Sequence, residues 1–194
     1  MKPSAPFERL LPPEVEIDLY SLNPHWQGKP GPLVPKFRRW IFPRLLRSLL
    51  SGITPAVVLR GPRRVGKTVL LRQLIEELLA RGVDPRAILY VAFDELESLR
   101  TLRDPILRLA WWYEREILGR SFNELAREGK MAYLLLDEVQ NLTAWAPQIK
   151  HLVDNHCLRV LVTGSSSLRI EAGGDSLAGR ITTLELGPLL LREI

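Results

Sequence analysis

The sequence predicts an α/β protein in which a five-stranded parallel sheet is covered by helices on both faces. Three observations carry that prediction. From residue 56 onward, short apolar runs alternate with longer amphipathic segments, and strands buried on both faces of a parallel sheet read as such near-continuous runs. The chemically notable residues follow the carboxyl ends of those runs, where ligands sit in open α/β sheets. The length of 194 residues, with 46 % hydrophobic and 25 % charged, suits one sizeable core.

Each element can be justified in order. Residues 1–36 are rich in proline ("LLPPEVE", "GKPGPLVP"). They show no sustained helical periodicity and are expected to form an extended arm or tether outside the domain. Residues 37–194 are expected to form that domain. In "FRRWIFPRLLRSLL", Trp40, Ile41, Leu45, Leu46, Leu49 and Leu50 recur at helical spacing. This predicts a helix from Phe37, started or kinked at Pro43 and ended by "SGITP". "AVVLR" (56–60) is the first strand, and the helix over 66–81 stops at "RGVDPR". "AILYVAF" (87–93) is the second strand, followed by helices in "DPILRLAWWYEREILG" (104–119) and "SFNELAREG". "MAYLLLDEV" (131–139) is the third strand, and "WAPQIKHLVDNH" is a helix with Pro147 near its first turn. "LRVLVTGSS" (158–166) and "ITTLELG" (181–187) complete the sheet.

Composition narrows the setting. The net charge of +5 admits acidic partners without demanding them. A lone cysteine, Cys157, excludes an internal disulfide framework. The N-terminus places prolines and acids where a leader would need an apolar stretch. No apolar run approaches the roughly 18 residues of a spanning helix. The expectation is a cytoplasmic protein with no membrane contact.

"GPRRVGKT" carries the strongest chemical signal. Gly61, Pro62, Arg63, Arg64, Val65, Gly66, Lys67 and Thr68 match G-x-x-x-x-G-K-[ST] between a strand and a helix that continues through Val69. The glycines allow a turn tight enough for several backbone N–H groups to converge on phosphate, and the helix N-terminus adds its dipole. Lys67 suits the β and γ oxygens of a nucleotide, and the Thr68 hydroxyl suits Mg²⁺. In "YLLLDEVQ" an apolar strand runs into Asp137 and Glu138. Asp137 is placed for the Mg²⁺ shell, and Glu138 to polarise an attacking water. "LVTGSSS" ends the fourth strand in hydroxyls, of which Thr163 or Ser165 would lie between the γ-phosphate and the carboxylates. "LAGR" sets Arg180 just before the fifth strand, where an arginine could reach a neighbouring subunit's γ-phosphate.

The Asp–Glu pair also sorts the subclass. Neither D-x-x-G nor N-K-x-D follows the loop, which argues against a GTPase. Small-molecule kinases generally lack a glutamate at the place of Glu138. ATP hydrolysis coupled to motion is therefore favoured. The rival classes are a nucleotide-gated switch that binds nucleic acid or protein with little hydrolysis, and a P-loop kinase of a small acceptor.

Taken together, "GPRRVGKT", "LLLDEVQ", "VTGSSS" and "LAGRITTLELGPLLLREI" resemble the AAA-type ATPase domain of bacterial and archaeal P-loop proteins, over about residues 37–194. That resemblance implies a P-loop NTPase three-layer sandwich with strand order 5-1-4-3-2. It implies ATP and Mg²⁺ as cofactors, a homo-oligomer, and Arg180 as the arginine finger. Gly66, Lys67 and Thr68 become the nucleotide loop, Asp137 and Glu138 the Mg²⁺ and water pair, and Thr163 or Ser165 the sensor. "GPRR" in place of "GPPG" points to a divergent branch that usually continues into a helical or winged domain, so more chain is expected after Ile194.

Weaker constellations remain. Lys36 to Arg72 contains no Asp or Glu. Arg38, Arg39, Arg44 and Arg47 are candidates for a nucleic-acid face, with a solvated basic face or a docking surface for a further C-terminal part as the alternatives. Trp112 and Tyr113 are not both expected to share a helix face with Leu109, which leaves at least one ring of the Trp111–Tyr113 run exposed, with core or partner packing favoured over base stacking. His151, His156 and Cys157 are too irregularly spaced for a metal site.

Overall fold

In the computed structural model, residues 9–165, 177, 179–190 and 193 are described. The apolar runs become β1 (Ala56–Arg60), β2 (Ile88–Ala92), β3 (Tyr133–Asp137), β4 (Arg159–Gly164) and β5 (Ile181–Glu185). They pair in parallel in the order β2-β3-β4-β1-β5, which is 5-1-4-3-2 read from the other edge. Val58 stands opposite Val162 and Thr183, and Leu134 opposite Leu89 and Val160. The chain has the P-loop NTPase fold.

Strand residues alternate between two cores because successive side chains leave a strand on opposite faces. On one face, Leu45 and Leu49 of α2 (Phe42–Ser51) and Leu70, Leu71 and Leu74 of α3 (Lys67–Ala80) cover Val57, Leu59, Leu135 and Leu161. On the other, Val58, Leu134, Leu136 and Val160 meet Ile106 and Leu109 of α5 (Pro105–Trp112) and Ile149 and Leu152 of α7 (Trp145–Asn155). Short helices α4 (Glu97–Arg100) and α6 (Phe122–Arg127) fill the connections. Ser121 and Glu124 close a capping box at the start of α6. Among the described residues no helix is long and apolar enough to cross a membrane.

The N-terminal stretch departs from its expected form as an extended tether. Residues 13–22 form a helix, α1 (Pro13–Leu22), with Pro13 in its first turn where the missing N–H costs nothing. Leu11, Val15 and Leu19, four apart, are 0, 1 and 0 % exposed in the main core. The chain then rounds the β2 edge of the sheet. Asn23 accepts the Tyr90 N–H through Oδ1 at 2.7 Å and donates through Nδ2 to the Tyr90 carbonyl at 2.8 Å. One buried amide thus takes the place of a neighbouring strand and satisfies an edge that would otherwise invite pairing. Trp26 donates from Nε1 to Ile88 O at 2.8 Å. Gln73 then holds the crossing over α3 by donating to Pro35 O and Phe37 O at 2.7 and 2.8 Å.

Two helix details also differ from expectation. α2 begins at Phe42 rather than Phe37. Pro43 sits in the first turn, where its fixed φ suits initiation, and the arginines before it lie outside the helix. After α5 the chain widens into a π-helical stretch, Tyr113–Leu118. Trp112 and Tyr113 are both buried, at 1 and 0 % exposure, and Trp111 is the exposed ring at 42 %. Trp26 accounts for the change, because its ring lies 6.3 Å from Trp112 and 5.9 Å from Tyr113. A helix face that looks overextended in isolation is covered by the N-terminal segment.

Trp26→Ala should therefore cost about 3–5 kcal/mol of stability, the range of large aromatic truncations in cores. Urea unfolding of both proteins measures it. A loss within a few tenths of a kcal/mol would mean that the segment behaves as a tether after all.

Candidate nucleotide site

β1 delivers the loop 61–68 to the carboxyl edge of the sheet. Gly61 lies so close to the chain leaving β5 that a Cβ there would stand 2.2 Å from Leu186 O, a backbone atom with no room to move. Gly66 has φ +98°, a value L side chains rarely adopt, and it turns the loop into α3. Arg64 is also left-handed, at φ 64°. Pro62, Arg63 and Arg64 form the exposed crest, whereas Val65 and Val69 are half-buried.

Lys67 is 4 % exposed. Its Nζ donates to Gly61 O at 3.1 Å and Pro62 O at 3.0 Å, and lies 3.5 Å from Glu138 Oε1. The ammonium therefore fills the hollow of the loop. One residue on, Thr68 Oγ1 donates to Asp137 Oδ2 at 2.7 Å.

Asp137 is 1 % exposed at the end of β3. Besides Thr68, it accepts from the Thr163 hydroxyl through Oδ1 and from Tyr90 OH through Oδ2 at 3.3 Å. Burial pushes the Asp137 carboxyl up from its ordinary value, and the Thr163 and Thr68 hydroxyls pull it back. Burial, with the Asp137 charge nearby, likewise raises the Tyr90 phenol. Glu138 leaves the strand in a left-handed turn at φ 58° and ψ 44°, and its N–H donates to Thr163 Oγ1 at 3.0 Å. Thr163 thereby touches both acidic residues, while Ser165 N–H donates to Gln140 Oε1 at 3.2 Å.

The loop 61–69, Asp137, Glu138 and Thr163 thus meet at one edge, with Ser165 beside them. Arg180 does not join them. Its carbonyl accepts from Ala56 N at 3.2 Å, which sets it at the amino end of the sheet, and its side chain pairs with Asp154 of α7. A five-residue strand separates it from the loop, about 16 Å at the usual rise.

The donor set suits Mg²⁺. A hydroxyl and a carboxylate lie in contact and all donors are oxygen, as a hard cation that keeps several waters prefers. Among the described residues no group of three or more His, Cys, Asp or Glu could hold a metal. Mg²⁺ bound with substrate phosphate needs only one or two carboxylates.

Three further residues shape the site without being singled out by motif reading. Tyr90 and Gln140 reach it from β2 and from the 3₁₀ turn after Glu138. Arg39, read as part of a basic face, is 8 % exposed and buried against the loop. It donates to Val65 O at 2.9 Å, Gly187 O at 3.1 Å and Pro188 O at 2.9 Å, and pairs with Glu193 at 2.8 Å. Arg38 is engaged as well, 2.8 Å from Glu77 and stacked 4.4 Å over the Phe42 ring. Of the four arginines, Arg39 is buried, Arg38 is exposed but engaged, and Arg44 and Arg47 stand exposed on α2. The absence of Asp and Glu over residues 36–72 is the one signal that could have marked Arg39, since its carboxylate partner, Glu193, lies far along the chain.

Comparison with known proteins decides the family. Residues 54–194 match the family model described as an AAA domain. The chain belongs to that family. The AAA domain is 33 % identical over 137 residues to uncharacterized protein MJ1637 of Methanocaldococcus jannaschii, covering 71 % of this chain and 27 % of that protein. It is 29 % identical over 160 residues to uncharacterized protein Rv2008c of Mycobacterium tuberculosis, covering 81 % and 30 % respectively. The chain thus spans less than a third of the length of these relatives. Among solved structures it is similar to C. elegans PCH-2, at 20 % identity and a TM-score of 0.46 over 91 % of this chain and 42 % of that one. Membership of the AAA domain family supports nucleotide binding and ATPase-like function.

Two outcomes follow from this geometry. Gly61→Ala should lose about 1–3 kcal/mol, the usual cost of overpacking, seen as a lower urea midpoint with the m-value unchanged. Glu193 is held at about 2, below its ordinary 4.5, chiefly by hydrogen bonds from Arg39. A carboxyl lowered in the folded state contributes stability that is complete above its unfolded value and lost as pH falls through the folded one. Glu193→Gln should therefore flatten the acid limb of stability between about pH 4.5 and 2. Unfolding midpoints collected across that range test it, and parallel curves would count against the ion pair.

Proposed function

We propose that this AAA domain binds Mg·ATP and hydrolyses it, and that the cycle drives conformational change in a protein or nucleic-acid partner. The observation that carries the reading is the contact of the loop with the acidic strand end. Thr68 touches Asp137 at 2.7 Å, and Lys67 lies 3.5 Å from Glu138.

In this reading the loop amides and the start of α3 bind the phosphate chain, and Lys67 neutralises its β and γ oxygens. Thr68 and Asp137 hold Mg²⁺, which when bound offsets charge on those oxygens. Thr163 fixes Asp137 through its hydroxyl and keeps the Glu138 backbone in register with it. Glu138 accepts a proton from water as the water oxygen bonds to the γ-phosphorus. The bond from that phosphorus to the β–γ bridging oxygen breaks, and ADP and inorganic phosphate result. Arg180 belongs in this scheme as a group acting on a neighbouring copy, because it stands at the opposite edge from its own loop.

Phosphate release measured against ATP, Mg²⁺ and protein concentration tests the proposal. Lys67→Ala should lose nucleotide binding, and Glu138→Gln should bind ATP with turnover lower by about 10²–10⁴-fold. Turnover per chain should rise with protein concentration and fall sharply in Arg180→Ala. Tight ATP binding with no release from the wild type would replace hydrolysis by a nucleotide-gated switch.

A further inference from the structure

Glu138 occupies a backbone conformation that a glutamate avoids. Its φ of 58° lies in a region that side chains disfavour and persists only where the surroundings overdetermine it. Here they do so through four contacts. Val139, the next residue, is fully buried, and Glu138 N–H is taken up by Thr163 Oγ1 at 3.0 Å. The left-handed turn feeds a single 3₁₀ turn, Val139–Asn141, closed by Asn141 N donating to Glu138 O at 3.2 Å. That turn folds the side chain of Gln140 back onto Glu138, and the amide Nε2 donates to Glu138 Oε2. The other carboxylate oxygen faces Lys67 Nζ at 3.5 Å.

Gln140 has a second engagement. Its Oε1 accepts the Ser165 N–H at 3.2 Å, just past the end of β4. One side-chain amide therefore uses its donor on the acidic residue and its acceptor on the backbone that follows the neighbouring strand. We propose that Gln140 is the positioning residue for Glu138, orienting its carboxylate toward water and tying that orientation to the end of β4. The assignment rests on the hydrolytic reading above.

The consequence is specific to this arrangement. When Lys67 turns to nucleotide phosphate, it ceases to steady Glu138, and Gln140 becomes the contact that keeps the carboxylate from swinging on its flexible stem. Any displacement of the backbone at Ser165 then moves Glu138 through a rigid amide rather than through packing. Gln140 itself touches no reacting atom, so its loss should act on turnover and spare nucleotide binding.

The test uses the full chain and the variants Gln140→Ala and Gln140→Glu, each alone and with Glu138→Gln. Gln140→Ala should lower kcat by about 10²-fold, the scale of a small misplacement of a catalytic group, while ATP affinity stays within about twofold. Added to Glu138→Gln, it should lower turnover no further, whereas a residue that merely stabilises the fold would add its own loss. Gln140→Glu keeps an acceptor for Ser165 N–H but removes the donor. It should lose kcat as Gln140→Ala does yet retain slow amide hydrogen exchange at Ser165, which Gln140→Ala should accelerate. It also keeps the test open if the alanine variant folds poorly. Full kcat in both variants from a wild type that turns over would overturn this assignment alone. A wild type that binds ATP but releases no phosphate would remove the role of Glu138, and the assignment with it.

Discussion

One carboxylate organises this molecule. Asp137 is almost wholly removed from water at the end of the third strand, where an unpartnered charge would be costly. It is tolerated because three hydroxyls converge on it from three elements, Thr68 on α3, Tyr90 on β2 and Thr163 on β4. Each hydroxyl can satisfy the carboxylate only if its own element is in register. The buried charge therefore sets the height of α3 against the sheet and the alignment of β2 and β4 with β3. A fully apolar strand end would pack as well, but it would leave that alignment to side-chain shape alone.

The N-terminal segment acts on the same centre from outside. Asn23 pins both backbone groups of Tyr90, and the Tyr90 hydroxyl reaches Asp137. Edge strands are commonly the mobile members of a sheet, since half of their backbone groups lack partners. Here the edge strand carries one of the three donors, so fixing the edge also fixes the donor. The segment that rounds this edge and crosses α3 is better regarded as a belt around the site than as a leash to something else.

Much of this was legible in the sequence, and the exceptions share a cause. Strands 56–60 and 181–185 and the helix after Gly66 follow from local signals, namely apolar runs, glycine placement and helical spacing. The loop and the Asp137–Glu138 pair follow for the same reason, because the motif spacing is itself local. The belt was misread because prolines at 12 and 13 suggest extension, although Leu11, Val15 and Leu19 already carry a four-residue period beneath them. Trp112 and Tyr113 looked impossible to bury together because the element that covers them, Trp26, lies more than eighty residues away. Gln140 was invisible for a third reason. Its contact depends on the left-handed turn at Glu138, and no residue type there announces such a turn.

Arg39 shows how charge and backbone are joined on the opposite flank of the loop. A buried guanidinium needs its donors satisfied, and here the acceptors are carbonyls of Val65 in the loop and of Gly187 and Pro188 after β5, together with the Glu193 carboxylate. Glu193 in turn accepts from the backbone of Trp40 and Leu190. The planar fork of arginine can serve several fixed acceptors at once, which a lysine cannot reproduce. The loop is therefore held between two polar centres of unlike construction. On one side hydroxyls from packed secondary structure meet Asp137, and on the other a single arginine gathers backbone carbonyls from two distant segments. A shift in the loop is opposed on the first side by the whole sheet. On the second side the acceptors stand on the segment that follows β5, of whose described residues Leu186 joins a core, while Arg39 itself adjoins the buried Ile41 and Phe42.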